Sequence, residues 1–214
     1  MPFLLTLVAA AALVLPACAP ASAQQFDRPA GWLVRFDDDR AVEEDLETFV
    51  SMPPGWHVTS GPAAIYWHPE QVASGRYRVE MEVYLFDPGA RREAFGIFVG
   101  GRDLESADQA YAYFLIRDGG EFIVKRRAGA DAPTLEPWTA HRAVRSYADR
   151  GDEASVRNLL AVDVDEKRVR FLVNGEEVWN GPRGDLPLDG TYGFRINHGL
   201  NLHVARIEAT GRGS

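Results

Sequence analysis

From Arg76 to Phe86 the side chains Tyr77, Val79, Met81, Val83 and Leu85 alternate with Arg76, Arg78, Glu80, Glu82 and Tyr84. A period of two marks a strand with one face in a core and the other in water, and the odd-numbered set is the core face. Similar short runs, separated by Gly, Asp and Pro, predict strands near 56–60, 63–68, 76–86, 94–100, 111–117, 121–127, 156–164, 168–174, 177–180, 191–197 and 202–210. VRFLVNGEEVW, Val169 to Trp179, places two such runs around Asn174-Gly175, a pair able to supply the positive φ angles of a tight hairpin. No helical pattern separates successive strands. The chain therefore reads as all-β, a two-sheet antiparallel jelly-roll sandwich rather than a parallel α/β fold.

Two stretches break the pattern. In FDDDRAVEEDLETFV, Val42, Leu46, Phe49 and Val50 recur at helical spacing behind a run of acids, which predicts one short helix over Phe36 to Val50, closed by MPPGW. Ala128 to Glu153 carries Pro133, Pro137, Trp138 and His141 with little periodicity and reads as a loop folded over one sheet.

The apolar run Phe3 to Leu15 is too short to span a bilayer and reads as an export signal. Ala21-Ser22-Ala23 has the small-x-small form that precedes cleavage, making Gln24 the mature N-terminus. Cys18, the only cysteine, lies in Leu15-Pro16-Ala17-Cys18, which approximates a bacterial lipoprotein processing site. Two outcomes stand open: cleavage after Ala23 frees the chain into the periplasm or beyond, and a lipid on Cys18 anchors it to a membrane. After cleavage no cysteine remains, so the domain is held by its core and not by disulfides. The expected organisation is signal peptide 1–23, an N-terminal segment with the helix 24–55, and a single sandwich domain 56–214. A net charge of −8 makes a poor match for nucleic acid or anionic lipid.

Candidate chemistry gathers on one predicted hairpin. Tyr111 and Tyr113 share a strand face with Arg117, and Lys125 and Arg127 follow across the turn. Sugars present apolar C–H faces ringed by hydroxyls, so flat aromatic rings beside charged hydrogen-bonding groups in a concave groove are the chemistry of a glycan site. The competing reading is that the tyrosines complete the packing of a sheet. The tight polar turn Asn197, His198, Asn201 and His203 adds groups able to bond ligand hydroxyls. Glu80 and Glu82, neighbours on one face, could act as acid and nucleophile if their pKa values were driven apart, or could be solvated acids paired with Arg78 or an adjacent strand. Asp103, Glu105 and Asp108 are weak candidates for calcium because the spacing and glycine of a calcium loop are missing, and Asp37-Asp38-Asp39 reads more simply as helix-capping acid. His57, His68 and His141 are isolated in sequence, which disfavours zinc, and no Gly-x-Ser-x-Gly elbow or phosphate-cradling glycine loop occurs.

The segments NLLAVDV, VRFLVNGEEVW and GTYGFRINHGLNLHVARIEATG resemble the closing strands of the concanavalin A-like lectin and glucanase superfamily, which includes laminin-G-like domains. Within it, Trp56 to Gly211 is similar to exported bacterial domains of the 3-keto-disaccharide hydrolase type, through strand order and a Glu-bearing strand leading into GIFVGG. The resemblance implies a jelly roll and a carbohydrate ligand. Glucanases of the superfamily carry Glu-x-Asp-x-x-Glu on one strand, whereas here Glu82 is followed by Val83-Tyr84-Leu85-Phe86, so the third acid is absent and no catalytic set carries over. The leading expectation is an envelope domain that binds glycan through Tyr111, Tyr113, Arg117, Lys125 and the Asn197 to His203 turn. The alternatives are a glycoside hydrolase using Glu80 or Glu82 with His198, and a non-catalytic adaptor for another protein.

Overall fold

The structure is a computed structural model that describes residues 29–211. The export signal, Cys18, Ala21-Ser22-Ala23 and Gln24 lie outside the described residues. The chain runs through β1 (Leu33–Phe36), β2 (Thr48–Ser51), β3 (Trp56–Thr59), β4 (Ala64–Ala73), β5 (Tyr77–Phe86), β6 (Ala94–Arg102), β7 (Ala110–Arg117), β8 (Glu121–Ala128), β9 (Thr134–Ala140), β10 (Ser155–Val164), β11 (Arg168–Val173), β12 (Glu176–Pro182), β13 (Gly190–Ile196) and β14 (Asn201–Gly211). They form two seven-stranded sheets, the first in the order β1-β4-β13-β6-β7-β8-β9 and the second β12-β11-β10-β5-β14-β3-β2. Every named pairing is antiparallel. This is the expected jelly-roll sandwich.

The core lies between the sheets, and β5 shows how the sequence builds it. Val79, Met81, Val83 and Leu85 are buried against Ala112, Phe114 and Ile116 of β7 and Phe194 of β13, while the even-numbered residues face out half-buried. Asn174 and Gly175 both take positive φ, at 50° and 86°, and close the β11–β12 hairpin as their chemistry predicts.

The expected helix over Phe36 to Val50 does not form. That stretch holds the end of β1, a 3-10 turn over Glu43–Asp45, and β2. Tertiary packing overrides the local pattern. Phe49 enters an aromatic cluster with Trp32, Tyr66 and Phe194, and Thr48–Ser51 gains a ladder with β3, whereas Val42 is left 55 % exposed. The segment before Trp56 thus supplies an edge strand to each sheet. The supposed loop over Ala128 to Glu153 contains β9, whose Pro137 is tolerated because β9 is the sheet's edge.

Candidate functional site

The first sheet carries apolar side chains on both faces. Beyond the core, Ile65 and Trp67 of β4, Phe98 of β6, Tyr111, Tyr113 and Leu115 of β7, and Ile123 of β8 form a second cluster on the sheet's outer face, with Leu104, Leu33 and Trp138 packed against it. The register sets Tyr113 opposite Phe98 on one side and Lys125 on the other, and Tyr111 opposite Arg127. The predicted hairpin therefore brings Tyr111, Tyr113, Arg117 and Lys125 to one face. The rings, however, lie within the packing: Tyr111 is 1 % and Tyr113 5 % exposed, and burial pushes the Tyr113 hydroxyl up to about 12. Arg117 stacks on the Trp138 ring at 3.9 Å and donates to Glu121 at 2.8 Å.

Arg195 is the residue on this face that sequence reading missed. It sits on β13 opposite Gly96, buried, with its guanidinium 5.3 Å from the centre of the Tyr113 ring. Asp37 accepts both of its terminal nitrogens, one at 2.9 Å, and also accepts from Arg127 at 3.2 Å. Burial on its own raises the Asp37 carboxyl, but the hydrogen bond and charge of Arg195 and the charge of Arg127 outweigh it and hold the group below its ordinary value. Asp37 is thus an ion-pair partner of the sheet and not a helix cap.

Open space on this face lies over β1 and β4. One cavity of about 440 Å³ is lined by Leu33, Trp67, Asp103, Glu105, Ser106 and Thr191, among others. A second, of about 340 Å³, is lined by Arg35, Phe36, Asp38, Asp39, Trp67 and Glu105, among others. Trp67 and Glu105 belong to both, so the two adjoin as one groove, with the Trp67 indole, 4 % exposed, packed beneath it. Its far wall, the loop after β6, is held by Arg35, which donates to the carbonyls of Leu104 at 3.0 Å and Ser106 at 2.6 Å. Asp103 in that loop adopts a φ of 52°, uncommon for a residue with a side chain. The loop starts where the β6–β7 register breaks between Val99 and Arg102, with Gly100 at a φ of 68°.

The other candidate residues are dispersed. Asn197, His198 and Asn201 lie at the crossing from β13 to β14, with His198 3.6 Å from Glu93, while His203 is on the outer face of the second sheet opposite His57. Glu80 and Glu82 are on that same second sheet, so neither meets His198. Both carboxylates are paired with arginine: Glu80 with Arg78, and Glu82 with Arg157 at 2.7 Å. The Arg157 bond, helped by the Tyr84 hydroxyl, outweighs burial and holds the Glu82 carboxyl below its usual range. Asp103 and Glu105 line the groove and Asp108 lies exposed beyond it, and among the described residues no three His, Cys, Asp or Glu converge on a point that could hold a metal ion.

No protein-family profile matches the chain, and no curated protein sequence does. Solved structures do. A carbohydrate-binding module, CBM66, from Bacillus subtilis superposes with a TM-score of 0.61 at 9 % identity, covering 85 % of this chain and 96 % of that one. The Bacteroides ovatus mixed linkage glucan GH16, in complex with a G4G4G3G product, gives 0.60 at 7 % identity over 86 % and 97 %. A Bacillus subtilis protein of unknown function with a galectin-like fold gives 0.53 at 13 % identity over 73 % and 82 %. At these identities the likeness is one of fold, and the fold of this chain is the concanavalin A-like jelly roll.

Proposed function

We propose that this protein is an exported glycan-binding domain whose ligand lies in the groove over Trp67 on the outer face of the first sheet. The observation that carries the reading is the groove's make-up. A narrow apolar floor, Leu33 and the edge of the otherwise buried Trp67, is ringed by Arg35, Asp38, Asp39, Glu105, Ser106 and Thr191, which supply both donors and acceptors for hydroxyl groups. The hydroxyls of a sugar meet the carboxylates and the guanidinium of the rim, while Trp67, 4 % exposed, closes the groove from below and leaves only an edge for contact with the ring. The fold is one in which a carbohydrate-binding module and a glucan-bound GH16 are known, which raises the expectation of a sugar ligand by analogy. The apolar run Phe3 to Leu15 supports export.

The hydrolase alternative calls for an acid held protonated near neutral pH. Glu82 is shifted the opposite way by Arg157, so it serves as an ionised carboxylate. The adaptor alternative calls for a continuous exposed apolar patch, and among the described residues the exposed large apolar side chains are Val42 between β1 and β2, Val72 of β4 and Leu135 of β9. Calorimetric titration with a panel of neutral, acidic and 3-keto oligosaccharides, each followed by one-dimensional NMR of the same sample, tests the reading. Saturable binding with unchanged sugar spectra is expected. New anomeric signals would make the protein an enzyme, and failure of every sugar to bind would remove the glycan reading.

A further inference from the structure

The second sheet carries a cavity of its own, of about 360 Å³, lined by Pro54, Glu82, Tyr84, His203, Ala205 and Arg206. It arises from a break in the β5–β14 ladder. Val204 pairs with Val83 and the next pair is Arg206 with Glu82, so Ala205 is an extra residue on β14. A bulge of this kind bends its strand and re-aims the side chains beside it, and bulges are over-represented next to functional sites. The turn between β2 and β3 closes one side. Gly55 in that turn has a φ of 91°, and a side chain on it would fall 2.0 Å from the Val204 carbonyl oxygen, so the turn reaches the bulge only because this position is glycine.

The lining combines an apolar floor with polar groups that converge. Pro54, Ala205 and the Tyr84 ring give the floor. Above it, Glu82 Oε1 accepts from Tyr84 at 2.8 Å and from Arg157 at 2.7 Å, while Glu82 Oε2 stands 3.8 Å from the Arg206 guanidinium. That last separation is too long for a direct hydrogen bond. Arg206 Nη1 already donates to Glu208 at 2.5 Å, so Nη2, the atom nearest Glu82, is the one left for a ligand; a carboxylate and a guanidinium nitrogen at this spacing match two adjacent hydroxyls of a sugar, one donating to the acid and the other accepting from the arginine. His203 completes the lining. Its Nδ1 and that of His57, the residue opposite it, are buried with no hydrogen-bond partner among the described residues, which leaves Nε2 as the ring nitrogen able to serve a ligand.

We propose that this cavity is a second glycan site, taking one ring of a neutral sugar through a vicinal diol held between Glu82 and Arg206. The inference rests on the glycan-binding reading above and extends it. The two sites occupy opposite outer faces of the sandwich, so a single domain engages two glycan chains at once and gains avidity on a polymer surface without forming a dimer.

The test is backbone-amide NMR of the protein titrated with cellohexaose and laminarihexaose. Two separate groups of shifted amides are expected, one around Trp67 and Glu105 and the other around Tyr84 and Ala205. Arg206→Ala, at an exposed position, and Tyr84→Ala should each weaken the second group by at least about tenfold and leave the first unchanged, while Glu105→Ala does the reverse. Shifts confined to the Trp67 groove, or a second group that survives both variants, overturn the second site and leave the first standing. Shifts nowhere overturn both.

Discussion

On the outer face of the first sheet the strands present Trp67, Phe98, Tyr111, Tyr113, Leu115 and Ile123, whereas the same side of the second presents Arg78, Glu80, Glu82, Arg157 and Arg170. The second is what an antiparallel sheet with one face in water normally shows, alternating apolar inward and polar outward. Its charges pair across strands: Arg78 and Arg170 both reach Asp163, at 3.3 and 3.5 Å, and Arg157 reaches Glu82. The first sheet departs from that rule. It buries large rings outside the core and sets one buried guanidinium, Arg195, among them. A packed aromatic layer of this kind gives the groove over Trp67 a close-packed base, and the polar groups of the site come from the rim supplied by the β1 end and the loop after β6.

The contrast breaks most visibly when the buried layer is disturbed. Asp37→Asn leaves the buried Arg195 without its carboxylate and should cost about 3–5 kcal/mol in denaturant unfolding, part of which Arg195→Met restores in the double variant. Phe98→Ala, a deletion from the outer layer, should cost about 3–5 kcal/mol, as much as a core deletion, because Phe98 is 0 % exposed. An unfolding midpoint close to that of the parent in either case would show the layer to be dispensable. Next in size is Glu105→Ala, at an exposed rim position, which should weaken sugar binding by at least about tenfold while shifting stability by no more than about 0.5 kcal/mol.

Acid destabilises both faces, but in different windows. His57, on the second sheet, has its pKa lowered by burial and then by the charge of His203. The unfolded chain therefore takes up the proton first, so this contribution is intact above the unfolded value of about 6.5 and is lost as pH falls through the folded one. Asp37, on the first, is also depressed, so its contribution survives until pH drops below about 3.9, the unfolded value, and is lost on the way to the folded one. A series of thermal melts should show stability eroding in two steps, with His57→Gln removing the earlier one. The smallest effect belongs to the paired acids of the second sheet: Glu80→Ala should cost under about 1 kcal/mol, and a larger loss would mean that the Arg78–Glu80–Asp163 network is structural.

The difference between the faces was written in the residues. RYRVEMEVYLF alternates and AYAYFLI does not, and the unbroken apolar run of β7 is the mark of a strand covered on both sides. Read for its tyrosines alone, that run points to an exposed platform. Read for its continuity, it points to the buried layer that the structure holds. Apart from β9, the strands from Trp56 onward were legible from period and turns, including the Asn174-Gly175 hairpin. β1, β2 and β9 were not, because short edge strands with Pro or flanking acids carry little periodicity and take their structure from a neighbour. The groove was hidden for a similar reason. Arg35, Asp38, Trp67, Glu105 and Thr191 come from widely separated parts of the chain and meet only after β1, β4 and β13 pair. The cavity at Ala205 depends on a one-residue register shift that no local pattern announces.

Saturation-transfer NMR on the parent protein and on Glu105→Ala, with cellohexaose and laminarihexaose, tests the central claim most directly. Transfer to sugar ring protons is expected in the parent at low sugar concentration, with a marked loss in Glu105→Ala and an unchanged melting curve confirming that the variant is folded. Transfer of equal strength in both proteins, or to no sugar in either, would contradict a glycan site over Trp67.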